Sequence, residues 1–323
     1  MRIYFMMTML ILTVFVVPSY ATTTTPQTPS TSKLTVMLDW FPNPDHAPLF
    51  VAQEQGFFKQ QGLDVELIGP ADADAPPKLV AAGKIDIAVM YEPLLINDVS
   101  QGLPLIQIGT LIATPLSCLA VLADSPIKTL ADLKGKRIGY SSPSSDLPML
   151  TVMLKQAGLT LKDVTLINVH YNLTQALLAK RVDAATGMMR NFELTQMALA
   201  RHPARAFFPE ESGVPNYSEL VLVANKNKIN DPRLSRFIVA LQQGTLYLIN
   251  HPEQTWQVFA KAHPELNNQL NHTAWMQTLP RFALRSAIYD PQQYQQFALF
   301  LQQQGVIKQA LPATAYATVL PHV

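Results

Sequence analysis

The sequence is poor in several features that would point to particular chemistries. One of its 323 residues is a cysteine, Cys118, so no intrachain disulfide can form. Cys118 sits in the apolar run LSCLAVLA, the setting of a buried, inert thiol and not of a nucleophile. The seven histidines are scattered without zinc-ligand spacing, no Gly-x-Ser-x-Gly elbow occurs, and there is no glycine-rich nucleotide loop. No catalytic residue, metal or cofactor is therefore expected. Charge is also scarce, at 15% of residues with a formal net charge of +1. With no basic run, the chain has no electrostatic reason to bind nucleic acid.

Hydrophobic residues make up 48%, which suits a folded globular protein, and the length allows two domains. Residues 1–21 stand apart, with a single base, Arg2, an uncharged and mostly apolar run from Ile3 to Val17, and the small-residue ending Ser19-Tyr20-Ala21. This pattern predicts a secretory signal peptide cut after Ala21. The run of 15 residues falls short of the roughly 20 needed to span a bilayer; a retained N-terminal anchor is the alternative. Residues 22–32, rich in Thr, Pro and Ser, read as a tether, and no cysteine near the cut offers a lipid attachment site. Without Arg2 the mature chain carries 23 basic and 23 acidic residues, one base fewer than the 24 of the whole chain. The expectation is a soluble, monomeric protein exported to the periplasm.

The chain repeats itself. The stretch from KLTVMLDWFP through QGLDVELIGP to GKIDIAVMYEP has a counterpart running from GKRIGYSSPS through AGLTLKDVTLINV to RVDAATGMMRNFE. Each unit offers a strand, a polar or proline-rich loop, a helix ending at Gly-Leu, a second strand, a second helix, and a third strand introduced by Ile-Asp or Val-Asp. The spacing agrees, with 24 residues from Gly62 to Asp86 and 25 from Gly158 to Asp183. Alternating strands and helices predict parallel sheets with right-handed crossovers. Thr129 to Asp132 reads as a capping-box start. Asp290 and Pro291 open a C-terminal helix whose buried face is Tyr294, Phe297, Ala298 and Leu301, with Gly305 as its stop.

The apolar segments after each unit, Leu116 to Ala123 and SELVLVANK, read as extended crossings between domains. The predicted arrangement is a two-lobed α/β protein of the type II periplasmic binding architecture, with two parallel-sheet domains. Domain one covers 33–117 plus 224–323, domain two covers 122–220, and hinges lie at about 118–121 and 221–223.

Ligands of such sheets bind beyond the carboxyl ends of the strands. The repeat therefore names Trp40 to His46, Tyr91-Glu92, Ser141 to Ser145 and Arg190 to Glu193 as cleft lining. Trp40 and Tyr91 offer flat faces for a ring, and Glu92 and Glu193 can accept hydrogen bonds from ring amino groups. Each also has a plainer reading. Trp40 could belong to the core, Glu92 could favour a helix start, and Glu193 could lie on a solvated face. Asn43 and Asp45 are ordinary turn residues, the serines could cap a helix, and Tyr217 stands between hinge packing and cleft wall. The ligand these residues suggest is a small, flat, amine-bearing heterocycle.

These motifs resemble the periplasmic substrate-binding proteins for thiamine pyrimidine precursors, a family that includes the eukaryotic hydroxymethylpyrimidine phosphate synthase on the same fold. DWFPNPDHAPLFVAQEQGFFKQQGLDVELI is the most specific stretch, joined by GKIDIAVMYEP, DLKGKRIGY, RVDAATGMMRNFE and GVPNYSELVLVAN. The resemblance implies delivery of a formylaminopyrimidine or hydroxymethylpyrimidine to an ABC permease, with Trp40 and His46 in the pyrimidine pocket and Glu193 at the aminopyrimidine edge. Ligand contacts are accordingly expected from Trp40, Asn43, His46, Tyr91, Glu92, Asn191, Glu193 and Tyr217. The synthase's lysine and histidine would fall at Met90 and Leu94, its cysteines on residues 214–218, and its glycine-rich phosphate loop on SSPSSD, none of which matches. A same-fold binder of a sulfonate, nitrate, riboflavin or other aromatic solute is the rival, with Arg190 either gripping an anion or neutralising Glu193.

Overall fold

The computed structural model describes residues 31–321, so the expected signal peptide and nearly all of the tether lie outside the described residues. Among the described residues, ten strands form two five-stranded sheets. The first contains β1 (Ser32–Met37), β2 (Leu63–Ile68), β3 (Ile87–Met90) and β4 (Leu105–Ile112). The second contains β5 (Ser117–Leu122), β6 (Arg137–Tyr140), β7 (Thr165–Asn168), β8 (Ala184–Met189) and β9 (Ala204–Phe207). The chain then returns to the first sheet as β10 (Leu220–Asn225); the helices Pro232–Asn250, Pro252–Ala262 and Gln269–Thr278 pack on that lobe, while Pro291–Gln304 packs in a cluster with Ile96 of the first lobe and Met149 and Val152 of the second. Strand orders are β2-β1-β3-β10-β4 and β7-β6-β8-β5-β9, so the sequence repeat maps strand for strand.

Both sheets differ from the all-parallel expectation. Within each, the three strands of the repeated unit run parallel, but β10 is antiparallel to β3 and β4, and β5 is antiparallel to β8 and β9. Each antiparallel strand arrives from the other lobe and so enters its sheet from the opposite end. The residues expected as hinges, 118–121 and 221–223, consequently lie inside β5 and β10, paired on both sides. Their unbroken apolarity reflects burial on both faces of a central strand. The segments that pass between sheets are 113–116 and 208–219.

Apolar clusters cover both faces of each sheet. In the first lobe, Leu34, Val36, Val89 and Leu222 face one way, and Ala88, Met90, Val221 and Val223 the other. In the second, Leu119, Val121 and Ile138 oppose Cys118, Ala120 and Ala185. The helix Pro232–Asn250 lies close against Ala47–Glu54 because Gly244 leaves room. A Cβ there would stand 2.8 Å from the Pro48 carbonyl oxygen. The C-terminal helix Pro291–Gln304 forms as its sequence predicts, with the Asp290 carboxylate accepting the Gln292 and Gln293 amides and Gly305 at φ 80°. Thr129 and Asp132 cap each other reciprocally, although the element they start is a single 3-10 turn, Leu130–Leu133. Cys118 is buried, and its thiol donates to the Met188 carbonyl at 3.1 Å.

The aspartates that introduce the third strands have a common structural task. Asp86 Oδ2 accepts the Thr35 amide and hydroxyl, both at 2.9 Å, and Asp183 Oδ2 accepts the Arg137 amide at 2.9 Å. In each lobe the carboxylate thus fastens the entry to the third strand onto the first strand. Arg233 braces Asp86 and Arg137 braces Asp183, at 2.9 and 2.8 Å. Asp86→Ala is expected to destabilise the protein by about 2–3 kcal/mol in urea unfolding; an unchanged midpoint would mean that the strand pairing holds without this contact.

Candidate functional site

A cavity lies at the carboxyl ends of the parallel strands, between the lobes. Trp40, Asn43 and Tyr91 line it from the first lobe, and Ser141, Ser142, Asp146, Gly187, Met189, Phe192 and Glu193 from the second. A neighbouring chamber shares Tyr91, Ser145, Asp146, Gly187 and Met189 and adds Ser117, Tyr217 and Glu219.

The strand ends explain how these side chains are aimed. After β1 the chain turns at Asn43, whose side-chain oxygen accepts the Asp45 amide at 2.8 Å and starts the turn Pro44–His46. Trp40 is thereby held at the rim, edge-on to Tyr171 of the other lobe at 4.4 Å between centroids, and Phe41 meets Phe192 at 6.0 Å. His46 lies behind this wall, fully buried. Its Nδ1 accepts the Asn43 amide at 3.4 Å, which leaves Nε2 to donate to Asp39 Oδ1 at 2.8 Å. Tyr91 donates to the other Asp39 oxygen, also at 2.8 Å. A buried chain of His46, Asp39 and Tyr91 therefore braces the first-lobe wall.

Carboxylates dominate the site. Asp39, Asp45, Asp146 and Glu193 line the first chamber and Asp146 and Glu219 the second, and neither chamber is lined by a lysine or arginine. Burial pushes Asp45 and Asp146 up to about 6, and Glu193 and Glu219 up to about 7. Backbone amides partly compensate. Glu193 Oε2 accepts the Met189 amide at 2.8 Å, so this residue ties the end of β8 to the helix start and also lines the cavity.

Of the residues expected to touch a ligand, Trp40, Asn43, Tyr91 and Glu193 line the main cavity, and Tyr217, only 2% exposed, lines the second chamber. His46, Glu92 and Asn191 line neither. Glu92 is turned away to accept the Ser218 amide at 2.7 Å, tying the start of its helix to the returning crossing. Asn191 joins the lobes, donating to Asp45 and, at 2.6 Å, to Thr278. Arg190 also lines neither chamber. It pairs with Glu210 at 2.7 Å, lies over the Phe208 ring at 4.1 Å, and donates to the Leu116 carbonyl. Phe192 lies within the expected Arg190 to Glu193 stretch and lines the cavity, whereas Asp39, Asp146 and Tyr171 fall outside the segments the sequence named. Asp39 and Asp146 directly adjoin segments it singled out, and that adjacency was the available signal.

The two lobes, the crossing connections and a cavity at the strand ends define a periplasmic binding protein fold. It superimposes on the alkanesulfonate-binding protein SsuA from Xanthomonas axonopodis pv. citri with a TM-score of 0.69 at 18% identity, covering 88% of this chain and 98% of that one. The family described as NMT1/THI5 like matches residues 43–255, and the chain belongs to it. It is 50% identical to a putative thiamine biosynthesis protein of Haemophilus influenzae, over 88% of this chain and 91% of that one. It is 31% identical to the formylaminopyrimidine-binding protein of Halalkalibacterium halodurans, over 80% and 79%.

The raised carboxyl groups set a direction for pH dependence. Glu193 titrates at about 7 when folded against 4.5 ordinarily, so the folded protein retains a proton that the unfolded chain has lost. Its contribution to stability is present below about 4.5 and is lost as pH rises towards about 7. Glu193→Gln is expected to make the change in unfolding temperature between pH 5 and 8 less negative in ligand-free protein, read from melts across that range; identical slopes would place this titration elsewhere.

Proposed function

We propose that the chain is the solute-binding component of an ABC importer and binds a thiamine pyrimidine precursor, formylaminopyrimidine or hydroxymethylpyrimidine, in the cavity between its lobes. The observation that supports this most directly is the cavity wall, where aromatic faces at Trp40 and Tyr91 meet carboxylates with no cation among the lining residues. Such a wall favours a flat ring that donates hydrogen bonds. The 31% identical relative that binds formylaminopyrimidine points to the same chemistry. Trp40 supplies the stacking face, worth about 0.5–1.5 kcal/mol beyond area burial, and Glu193 accepts from the ring amine.

In this reading the ligand closes the lobes. It can shift that balance only through contacts made better in the closed form, and the cavity walls come from both lobes. Trp40–Tyr171 and Asp45–Asn191 bridge the cleft and would accompany closure. The loaded, closed monomer would then dock on an inner-membrane permease from the periplasm. Among the described residues no helix is long and apolar enough to cross a membrane.

The rival readings find less support. An anion binder would need a cation or free amides in the cavity, but Arg190 is engaged by Glu210 and Phe208, and the amides of Ser141, Ser142, Leu116 and Ser117 are taken by Asp146 and Glu219. For synthase-like chemistry, the positions matching the reactive lysine and histidine are Met90 and Leu94, both buried and apolar.

Calorimetry on the mature protein tests the proposal. Saturable binding of either pyrimidine is expected, with a Kd between about 1 μM and 1 nM, and flat titrations with both would remove the substrate assignment. Glu193→Gln should weaken binding by about 1 kcal/mol or more, and Trp40→Ala by about 1 kcal/mol. Unchanged constants would take those side chains out of contact with the ring.

A further inference from the structure

The cavity contains backbone amides of the kind that hold anions, and the protein's own carboxylates fill them. The helix Pro143–Gln156 begins at the cavity wall, with Ser142 as its N-cap. Free amides at such a helix start form an anion site. Here Asp146, in the first turn, folds back so that Oδ2 accepts the amides of Ser141 at 2.9 Å and Ser142 at 3.0 Å, while Oδ1 accepts the Ser145 hydroxyl at 3.2 Å. Across from it, Gly187 interrupts β8 with φ 80°, and a Cβ at that position would stand 2.5 Å from Asp146 Oδ1. The β5–β8 register shifts opposite this stretch. The second chamber repeats the device, because Glu219 Oε2 accepts the amides of Leu116 and Ser117, the latter at 2.9 Å.

We infer that Asp146 is a specificity-determining residue that keeps phosphorylated ligands out of the cavity by occupying the amides a phosphate would need. The inference rests on reading this cavity as the ligand site. A phosphate ester would have to displace the carboxylate from two amides and then lie beside it and beside Glu193 and Glu219, with no lysine or arginine lining either chamber to offset the repulsion. A neutral or cationic ring meets no such barrier, since the same carboxylates serve it as acceptors. Gly187 completes the arrangement, because any side chain there would meet Asp146.

Titrations of the mature protein, Asp146→Ser and Asp146→Asn with three probes test this: hydroxymethylpyrimidine, its phosphate ester, and inorganic phosphate. The parent should bind the ester about 100-fold more weakly than the alcohol and should not bind inorganic phosphate at millimolar concentration. Asp146→Ser, which frees the amides and removes the charge, should narrow the ester-to-alcohol ratio by about tenfold or more and gain saturable phosphate binding. Asp146→Asn should narrow it less, because its side-chain oxygen can still accept the two amides. Thermal melts establish which variants are folded, and if Asp146→Ser is not, the nearly isosteric Asp146→Asn carries the test. A parent that binds ester and alcohol equally would overturn the inference, as would folded variants with an unchanged ratio and no phosphate binding. A parent that binds neither pyrimidine would sink the substrate assignment alone, since phosphate gain in Asp146→Ser would still decide the role of Asp146.

Discussion

Carboxylates buried without cations are the constraint around which the rest of the molecule is arranged. An isolated ionised carboxylate loses far too much hydration to be buried unaided, and no lysine or arginine lines the cleft to offset that loss. Polar groups of the chain take the place of cations. Asp39 after β1 holds Tyr91 and His46, Glu92 after β3 holds the Ser218 amide, and Asp146 after β6 holds the Ser141 and Ser142 amides. Glu193 after β8 takes the Met189 amide, and Glu219 before β10 takes the amides of Leu116 and Ser117, where the first crossing enters β5. Strand ends, crossings and electrostatic field are therefore one construction. Apart from Glu92, which is turned away, these carboxylates also line the cavity as a field of acceptors.

The two lobes solve a common folding problem twice. In each, a parallel three-strand unit is locked by an aspartate at the start of its third strand, Asp86 or Asp183, and is completed by one strand arriving from the other lobe. That exchange makes the sheets mixed. It also pins the lobes together through connections, 113–116 and 208–219, that lie outside the ladders. Glu219 ends the second connection and grips the end of the first, so both passages are joined at a point that also forms a wall of the second chamber.

The fold was largely legible in the sequence because the repeat carries it. Strand and helix alternation, the Gly-Leu helix ends, the Asp290 cap and the apolar face from Tyr294 to Leu301 are local signals that long-range packing did not override. The antiparallel entry of β5 and β10 was not legible. Residues 118–121 and 221–223 are continuously apolar, and such a run looks the same whether it crosses between domains or lies at the centre of a sheet. Strand order is what separates the two, and it is settled by partners many residues away.

For the site, the sequence determined the places: strand ends at Trp40, Tyr91, Ser141 and Glu193, with aromatic and acidic residues and hardly a cation among them. Tertiary structure alone decided the directions. Glu92 and Glu193 each open the helix that follows the third strand of their unit, yet Glu92 turns to an amide 126 positions away while Glu193 lines the cavity. His46 supports Asp39 from behind, Asn191 reaches Asp45 across the cleft, and Asp146 closes an anion site from within. The physical reason is the same in each case. A buried polar side chain points to wherever its hydrogen-bonding partner stands, and that partner comes from another strand or the other lobe, so no local pattern of residues records it.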